Sequence, residues 1–313
     1  MKLNKPKFWS IKNSIFSFLL MPITFMVILF IFFKKKFTKT FQFNVPVICV
    51  GNIYIGGTGK TPTSIFLAKE LSKLGKNPTI LRKFYTSHVD EHKLIKDEFS
   101  NLVLCKNRID GLIESEKKGF DTIILDDGFQ DYKIKKNLNI ICFNQSQLIG
   151  NGLIIPSGPL RDNLSSLKDA NIILINGNKD HEFEKTILDI NKTLKIFYSC
   201  YKPTNISKFK NKKLLAVAGI GNPENFFQLI KKCGLDVQKE LIFPDHYVFS
   251  NKDIQNILKK ASERNFHIIT TKKDYFKIKE FNLDKINFLD VYLEINEKEK
   301  FLKTINKLYN ENN

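Results

Sequence analysis

Cysteine is scarce and scattered. The five residues Cys49, Cys105, Cys142, Cys200 and Cys233 lie far apart in a chain of 313. They show neither the close pairs of a zinc site nor the density of a disulfide framework, so a reducing compartment is expected. Histidine is as sparse, and His88, His92, His181, His246 and His267 have no spacing that argues for a metal. No internal repeat or low-complexity tail is evident, which leaves ordinary globular domains. Acidic residues are too few to balance the basic ones: 32 Asp and Glu face 50 Lys and Arg, a formal net charge of +18. The lysines are spread along the chain rather than gathered into one arm. Such a field suits an anionic membrane surface or a phosphorylated substrate as well as nucleic acid, and compositional bias towards Lys, Asn and Ile accounts for it equally well.

Charge is missing altogether from Ser14 to Phe33, SIFSFLLMPITFMVILFIFF, a run flanked by Lys2, Lys5, Lys7 and Lys12 before it and by Lys34, Lys35 and Lys36 after it. Its length suffices to cross a bilayer. It is too long for a signal peptide, and no small-residue cleavage site follows. Lysines on both flanks and Pro22 within leave a spanning helix and a shallow membrane-anchored hairpin or helix both open.

What is present is most concentrated at Val45–Thr61, VPVICVGNIYIGGTGKT. An apolar strand-like run leads into glycine-rich sequence and then a helix-like segment, the arrangement that cradles the phosphates of a nucleotide. Glycine lets the backbone approach an anion, Lys60 reaches towards β- and γ-phosphates, and the Thr61 hydroxyl suits Mg²⁺. The strict pattern G-x-x-x-x-G-K-[ST] asks for glycine where this chain has Tyr54; Gly56 and Gly57 are expected to compensate.

The length suffices for one large core or two moderate ones, and two α/β units are the expectation. The helix after Thr61 should run to about Leu74 and end at Gly75. Buried strands are expected at Thr79–Leu81, Leu102–Cys105, Thr122–Leu125, Asn139–Phe143 and Ile172–Ile175, an alternation that implies a parallel sheet covered on both faces. A second series follows a Lys-rich stretch at 202–213, with strands at Leu214–Ala218, Leu241–Phe243, His267–Thr271 and Phe288–Leu293 and helices at Asn222–Cys233 and Asn251–Arg264. The expected organisation is an N-terminal membrane-anchoring segment (1–36), a phosphate-loop domain (37–208) and a smaller α/β domain (209–313).

Three clusters can carry chemistry. Asp126 and Asp127 end a buried strand in DTIILDDGFQ, where a carboxylate at the edge of a parallel sheet suits Mg²⁺ or its bound water; Asp-Asp-Gly is equally good turn chemistry. Asp97 and Glu98 form a second pair in a polar stretch that reads as a surface cluster by itself. His246, in FPDHYVF, has Asp245 beside it and aromatic neighbours, as a tuned or a structural imidazole would.

The ordered set VGNIYIGGTGKTP, KDEF, DDGFQ, GNGLIIPSGPLRD, AGIGNPENFF, FPDHYVFS and TTKKDYFK resembles the tetraacyldisaccharide 4′-kinase family of lipid A biosynthesis. The resemblance runs from the N-terminal apolar segment to about Lys277. It implies a kinase with a P-loop NTPase-like parallel sheet domain, a second α/β domain and an N-terminal membrane-associated helix. Such a kinase acts at the cytoplasmic face of the inner membrane and moves the γ-phosphoryl group of ATP to the 4′-hydroxyl of a lipid A disaccharide precursor. It implies ATP and Mg²⁺, an anionic inner-membrane surface as a partner, no nucleic acid, and a monomer. Carried over by motif, Tyr54, Ile55, Gly56, Gly57, Thr58, Gly59, Lys60 and Thr61 form the ATP loop. Asp97 is the base, held by His246 from the other domain. Thr61, Glu98 and Asp126 serve the metal, with Lys60 and Asp127 at the γ-phosphate. Closure of the two domains would assemble the site. Two departures stand out: Asp131 replaces the last residue of the family's DDGFQH, and Leu81-Arg82-Lys83-Phe84-Tyr85 replaces a Ser-Arg-Gly-Tyr stretch, leaving Arg82 as a phosphate or headgroup contact. Arg161, in SGPLRD, suits an anion or an ion pair. A membrane-associated P-loop ATPase of the positioning type, with no lipid acceptor, is the alternative.

Overall fold

The computed structural model describes residues 5–278, 281 and 286–310, and the chain divides into two compact units. Lys2, one of the lysines ahead of the uncharged run, lies outside the described residues. Of the described residues, the first unit takes in those up to Phe84, Asn101–Cys200 and those from Glu294 to Asn310; the second holds those of Tyr85–Ser100 and Tyr201–Leu293. The division thus departs from contiguous domains at 37–208 and 209–313 in three places. Residues 85–100 and 201–208 leave the first unit and the C-terminal segment returns to it, because hydrophobic periodicity marks an element without saying what it packs against.

In chain order the elements are α1 (Ile15–Leu19), α2 (Met21–Phe37), β1 (Val47–Gly51), α3 (Lys60–Lys73), β2 (Pro78–Lys83), α4 (Val89–Glu98), β3 (Leu102–Cys105), α5 (Arg108–Lys117), β4 (Thr122–Asp126), β5 (Leu138–Asn144), β6 (Ile172–Asn176), α6 (His181–Ile190) and β7 (Lys195–Pro203). They continue with β8 (Leu214–Ala218), α7 (Pro223–Lys232), β9 (Val237–Ile242), α8 (Asn251–Ser262), β10 (His267–Thr271), α9 (Lys272–Ile278), β11 (Ile286–Leu289), β12 (Val291–Ile295) and α10 (Lys298–Asn310). The run expected as one strand over Phe288–Leu293 is two, broken at Asp290.

An eight-stranded sheet in the order β12-β7-β6-β5-β1-β4-β2-β3 organises the first unit. Its pairings from β3 across to β7 are parallel. β1, β4 and β5 are buried along their whole length, which is why they read as unbroken apolar runs rather than alternating ones. β1 lies between β4 and β5, and Val50 is in register with Asp126. The loops after β1 and β4 therefore leave the sheet side by side at its carboxyl edge, the place where open α/β sheets bind ligands. α3 ends where expected: Gly75 takes a positive φ of 79°, and the Lys76 N–H closes on the Leu71 carbonyl at 3.1 Å, satisfying carbonyls the helix leaves open.

The uncharged N-terminal run is two helices, with Pro22 near the start of the second, where its missing N–H costs nothing. α2 has 17 residues, and no helix among the described residues is long and apolar enough to cross a membrane. Two polar side chains of the run point inward. Ser17 and Thr24 are buried; Thr24 Oγ1 donates to Ser157 Oγ at 2.7 Å, Ser157 Oγ donates to the Ser17 carbonyl at 2.9 Å, and Trp9 Nε1 donates to the Pro156 carbonyl at 3.0 Å. Ile15, Phe16, Phe18, Leu19, Phe25, Met26 and Phe30 are exposed instead.

The second unit is built on a parallel sheet in the order β11-β10-β8-β9. Apolar clusters fill both faces, one around Phe226, Phe227 and Ile230 of α7, the other around Ile254 and Ile257 of α8. α8 starts at Ser250, whose hydroxyl accepts from the Asp253 N–H while the Asp253 carboxylate accepts from the Ser250 N–H, a reciprocal cap.

Candidate active site

In the first unit, β1 stops at Gly51 and the chain passes through Asn52–Gly59 before α3 begins at Lys60. Gly56 and Gly59 have φ of 120° and 90°, conformations that a side chain would resist. Tyr54 does not. It forms an isolated antiparallel bridge with Leu160, and the Ile55 N–H donates to the Pro159 carbonyl at 2.9 Å. The backbone at the imperfect position of the motif is thus extended, and no glycine is needed there. Asn52 staples the loop by donating from Nδ2 to Thr58 Oγ1 at 2.8 Å.

Two carboxylates from the end of β4 meet this loop. Asp126 is fully buried and accepts from Thr61 Oγ1 and Ser64 Oγ, each at 3.1 Å, and it is ion-paired with the buried Arg82. Arg82 is thus committed inside the site rather than presented to a headgroup. Asp127 has φ 60° and is clamped from several sides. Arg161 donates to both carboxylate oxygens at 2.7 and 3.2 Å, Arg108 donates to its carbonyl at 2.7 Å, and Lys60 Nζ stands 3.7 Å away. Burial would raise the Asp127 pKa, but Lys60 and Arg161 outweigh it and hold the carboxyl well below its usual range. Lys60 moves down from the ordinary lysine value, chiefly through burial. Asp131 pairs with Arg108 at 3.3 Å, so it steadies the arginine that grips the Asp127 main chain. A basic lining of Lys60 and Arg161 beside an ionised Asp127, with Thr61 on Asp126, can hold a phosphate chain and an oxygen-liganded cation.

In the second unit the histidine has a different partner from the one expected. His246 takes φ 54°, and its Nδ1 lies 3.1 Å from Asp90 Oδ1. Asp97 is ion-paired with Lys272 at 2.9 Å and is half-exposed, and Glu98 is bound by the same ammonium. The structure pairs His246 with Asp90 and not with the expected Asp97, and Glu98 belongs to the second unit whereas the loop and Asp126 belong to the first. Asp90 and Glu91 open α4 with the Asp90 side chain buried, and Asp97 and Glu98 close it two turns later. Both pairs read Asp-Glu, and the later one matched the motif KDEF. The missed signal is spacing: seven residues return a helix to nearly the same face, so two candidate pairs existed and burial alone separates them.

Burial would raise the Asp90 pKa, but the hydrogen bond from His246 and the ammonium groups of Lys273 and Lys277 bring it well below the carboxylate range. An ionised carboxylate only accepts, so Nδ1 carries the proton. Lys273 Nζ lies 2.9 Å from Glu91 Oε1, 3.1 Å from Asp245 Oδ1 and 3.5 Å from His246 Nε2. Since an ammonium has no acceptor, Nε2 meets it with a lone pair. Lys277 Nζ is 3.3 Å from Asp90 Oδ2 and is braced by Asp274.

The family profile of tetraacyldisaccharide-1-P 4′-kinase matches residues 16–310. The chain is 40% identical over 319 residues to the tetraacyldisaccharide 4′-kinase of Pelagibacter ubique (strain HTCC1062), covering all of both chains. It is 34% identical over 314 residues to that of Rickettsia akari (strain Hartford), covering 94% of each. Among solved structures, the "apo" form LpxK from Aquifex aeolicus in complex with ATP shares the fold, with a TM-score of 0.70 at 23% identity over 93% of this chain and 99% of that one.

Proposed function

The chain belongs to the tetraacyldisaccharide 4′-kinase family, and from that premise we propose how its residues divide the work of an ATP-dependent kinase that phosphorylates the 4′ position of a tetraacyldisaccharide 1-phosphate in lipid A synthesis. The observation that carries the proposal is the placement of Lys60 and Thr61 against Asp127 and Asp126 at the carboxyl edge of the eight-stranded sheet. Main-chain N–H groups around Gly57 and the ammonium of Lys60 grip the ATP phosphates, and Arg161 holds Asp127 ionised beside them. Thr61 and Asp126 offer hard oxygen donors of the kind Mg²⁺ takes, and Mg²⁺ would neutralise charge on the phosphates.

Acceptor activation falls to the second unit. Asp90 takes the role first expected of Asp97: it is the buried carboxylate on His246, as a base needs to be if its orientation is to be fixed. A sugar hydroxyl is a weak nucleophile, and accepting its proton as the phosphorus–oxygen bond forms lowers the barrier. His246 donates from Nδ1 to Asp90 at 3.1 Å, which fixes the carboxylate and leaves its remaining lone pairs to accept the hydroxyl proton.

The two N-terminal helices support a place at the cytoplasmic face of the inner membrane. Val27, Ile28 and Ile31 pack on the core beside the buried Ser17 and Thr24, yet Ile15, Phe16, Phe18, Leu19, Phe25, Met26 and Phe30 stay exposed, a wide apolar face of the kind that marks a membrane or partner surface. Exposed phenylalanines entering the acyl region, with Lys34, Lys35 and Lys36 at the headgroups, would hold the enzyme where its lipid resides. Incubation with labelled ATP and the tetraacyldisaccharide 1-phosphate tests the reading. Label in the lipid supports it; free phosphate alone points to a positioning-type ATPase, and neither product excludes both.

A further inference from the structure

Side chains that the kinase reading leaves unassigned, His88, Glu91 and Asp245, converge on His246 in the second unit. His88 and Glu91 stand three residues apart at the start of α4, and His88 Nδ1 lies 3.9 Å from Glu91 Oε2. The His246 ring stacks on His88 with centroids 4.0 Å apart. His246 Nε2 lies 3.7 Å from Glu91 Oε1 and 3.8 Å from Asp245 Oδ1. One ligand atom from each of His88, Glu91 and His246 lies within 4.8 Å of the others.

We propose that this cluster is a binding site for a transition-metal ion of the Zn²⁺ and Co²⁺ class, with His246, His88, Glu91 and Asp245 as ligands and the ammonium of Lys273 standing where the ion goes. The first support is tautomeric. Asp90 accepts from His246 Nδ1 at 3.1 Å, so the Nε2 lone pair faces the cluster, the carboxylate–histidine–metal arrangement that orients ligating imidazoles. A second support is that a cation is already held at the focus of these groups: Lys273 Nζ is 2.9 Å from Glu91, 3.1 Å from Asp245 and 3.5 Å from His246 Nε2. Bonds of about 2.0–2.2 Å in tetrahedral geometry put ligand atoms roughly 3.4 Å apart, so the pairs at 3.7–3.9 Å need to close by a few tenths of an ångström and the full set, which lies within 4.8 Å, by up to about 1.4 Å.

Imidazoles with carboxylates select Zn²⁺ or Co²⁺ over Mg²⁺, which prefers oxygen alone. Coordination requires the stacked rings to open so that both lone pairs converge. It also requires the flexible Lys273 side chain to swing out, leaving Lys277 as the ammonium facing Asp90. A bound ion would tie up His246 and Glu91, and so would inhibit the kinase without occupying the nucleotide loop. That consequence rests on the reading of Asp90 and His246 as the acceptor-activating pair; the binding itself does not.

The test is a Co²⁺ titration of the full-length protein in detergent, without nucleotide, followed by visible d–d absorption and by displacement with Zn²⁺. One equivalent of intense, tetrahedral-type absorption is expected. His88→Ala should weaken Co²⁺ binding by about tenfold or more, the size of effect that lost support of a metal site produces. Lys273→Ala should tighten it, because the competing ammonium is gone. A gain in affinity cannot arise from misfolding, and circular dichroism melts check the His88 variant. Absence of the absorption, or Co²⁺ binding unchanged in both variants, overturns the site. Kinase assays at saturating Mg²⁺ and ATP then separate the two readings: Zn²⁺ inhibition that is relieved in His88→Ala supports the consequence. Co²⁺ binding with the expected variant pattern but full activity in Zn²⁺ upholds the site and sinks the acceptor-activating role of His246.

Discussion

Asp90 and Asp97 are chemically identical residues on one helix with opposite fates. Asp90 is buried against His246, whereas Asp97 sits half-exposed against Lys272. Asp90→Asn should therefore lower kcat by roughly 10²–10⁴, the range of general-base contributions, while the Kd for ATP stays within about twofold. Asp97→Asn should leave kcat within about threefold, since an exposed ion pair contributes little. Steady-state kinetics with a fluorescent nucleotide titration checks both, and an equal loss in the two variants would return the base to Asp97. Asp127 permits a pH experiment. Its folded-state pKa is depressed by Lys60 and Arg161, so it contributes stability above the unfolded carboxylate value near 4, and that stability is lost as pH falls through the lower folded value. The stability gap between the wild type and Asp127→Asn should be widest near neutral pH and narrow below about pH 4, as read by urea unfolding across that range.

At the scale of elements, the N-terminal helices bury Ser17 and Thr24 while leaving most of their large apolar side chains exposed. Deleting residues 1–36 should move the protein from membrane to soluble fractions and raise apparent KM for the lipid more than for ATP; unchanged partitioning would refute the anchoring role. Thr24→Val should be costly although valine is nearly isosteric, because Ser157 loses the hydroxyl that bonds both its N–H and its Oγ. Leaving such buried groups unsatisfied costs about 1–3 kcal/mol, measurable as a shift in thermal unfolding. β1 and β4 show the complementary logic: strands buried on both faces can be almost wholly apolar, and their polar chemistry gathers in the loops beyond their carboxyl ends.

Across the whole molecule, each unit has its own largely parallel sheet and its own buried charged cluster. If the glycine-rich loop of the first binds the nucleotide as proposed, nucleotide with Mg²⁺ at about 100 times its Kd should stabilise the protein by about 2.7 kcal/mol. Lys60→Ala should abolish most of that stabilisation in a thermal-shift assay. Retention of the full shift would place the nucleotide elsewhere.

By itself the sequence determined what depends on neighbours along the chain. The glycine-rich turn between β1 and α3, α3 and its stop at Gly75, the strands β3, β8 and β10 to the residue, and the family were all legible, because glycine conformations, unbroken apolar runs and ordered motifs are local properties. Only the tertiary structure decided that residues 85–100 join the second unit, that Arg82 turns inward onto Asp126, and that His246 chooses Asp90 over Asp97. Each of those outcomes turns on which polar group loses its water, and desolvation is set by everything packed around a side chain rather than by its place in the chain.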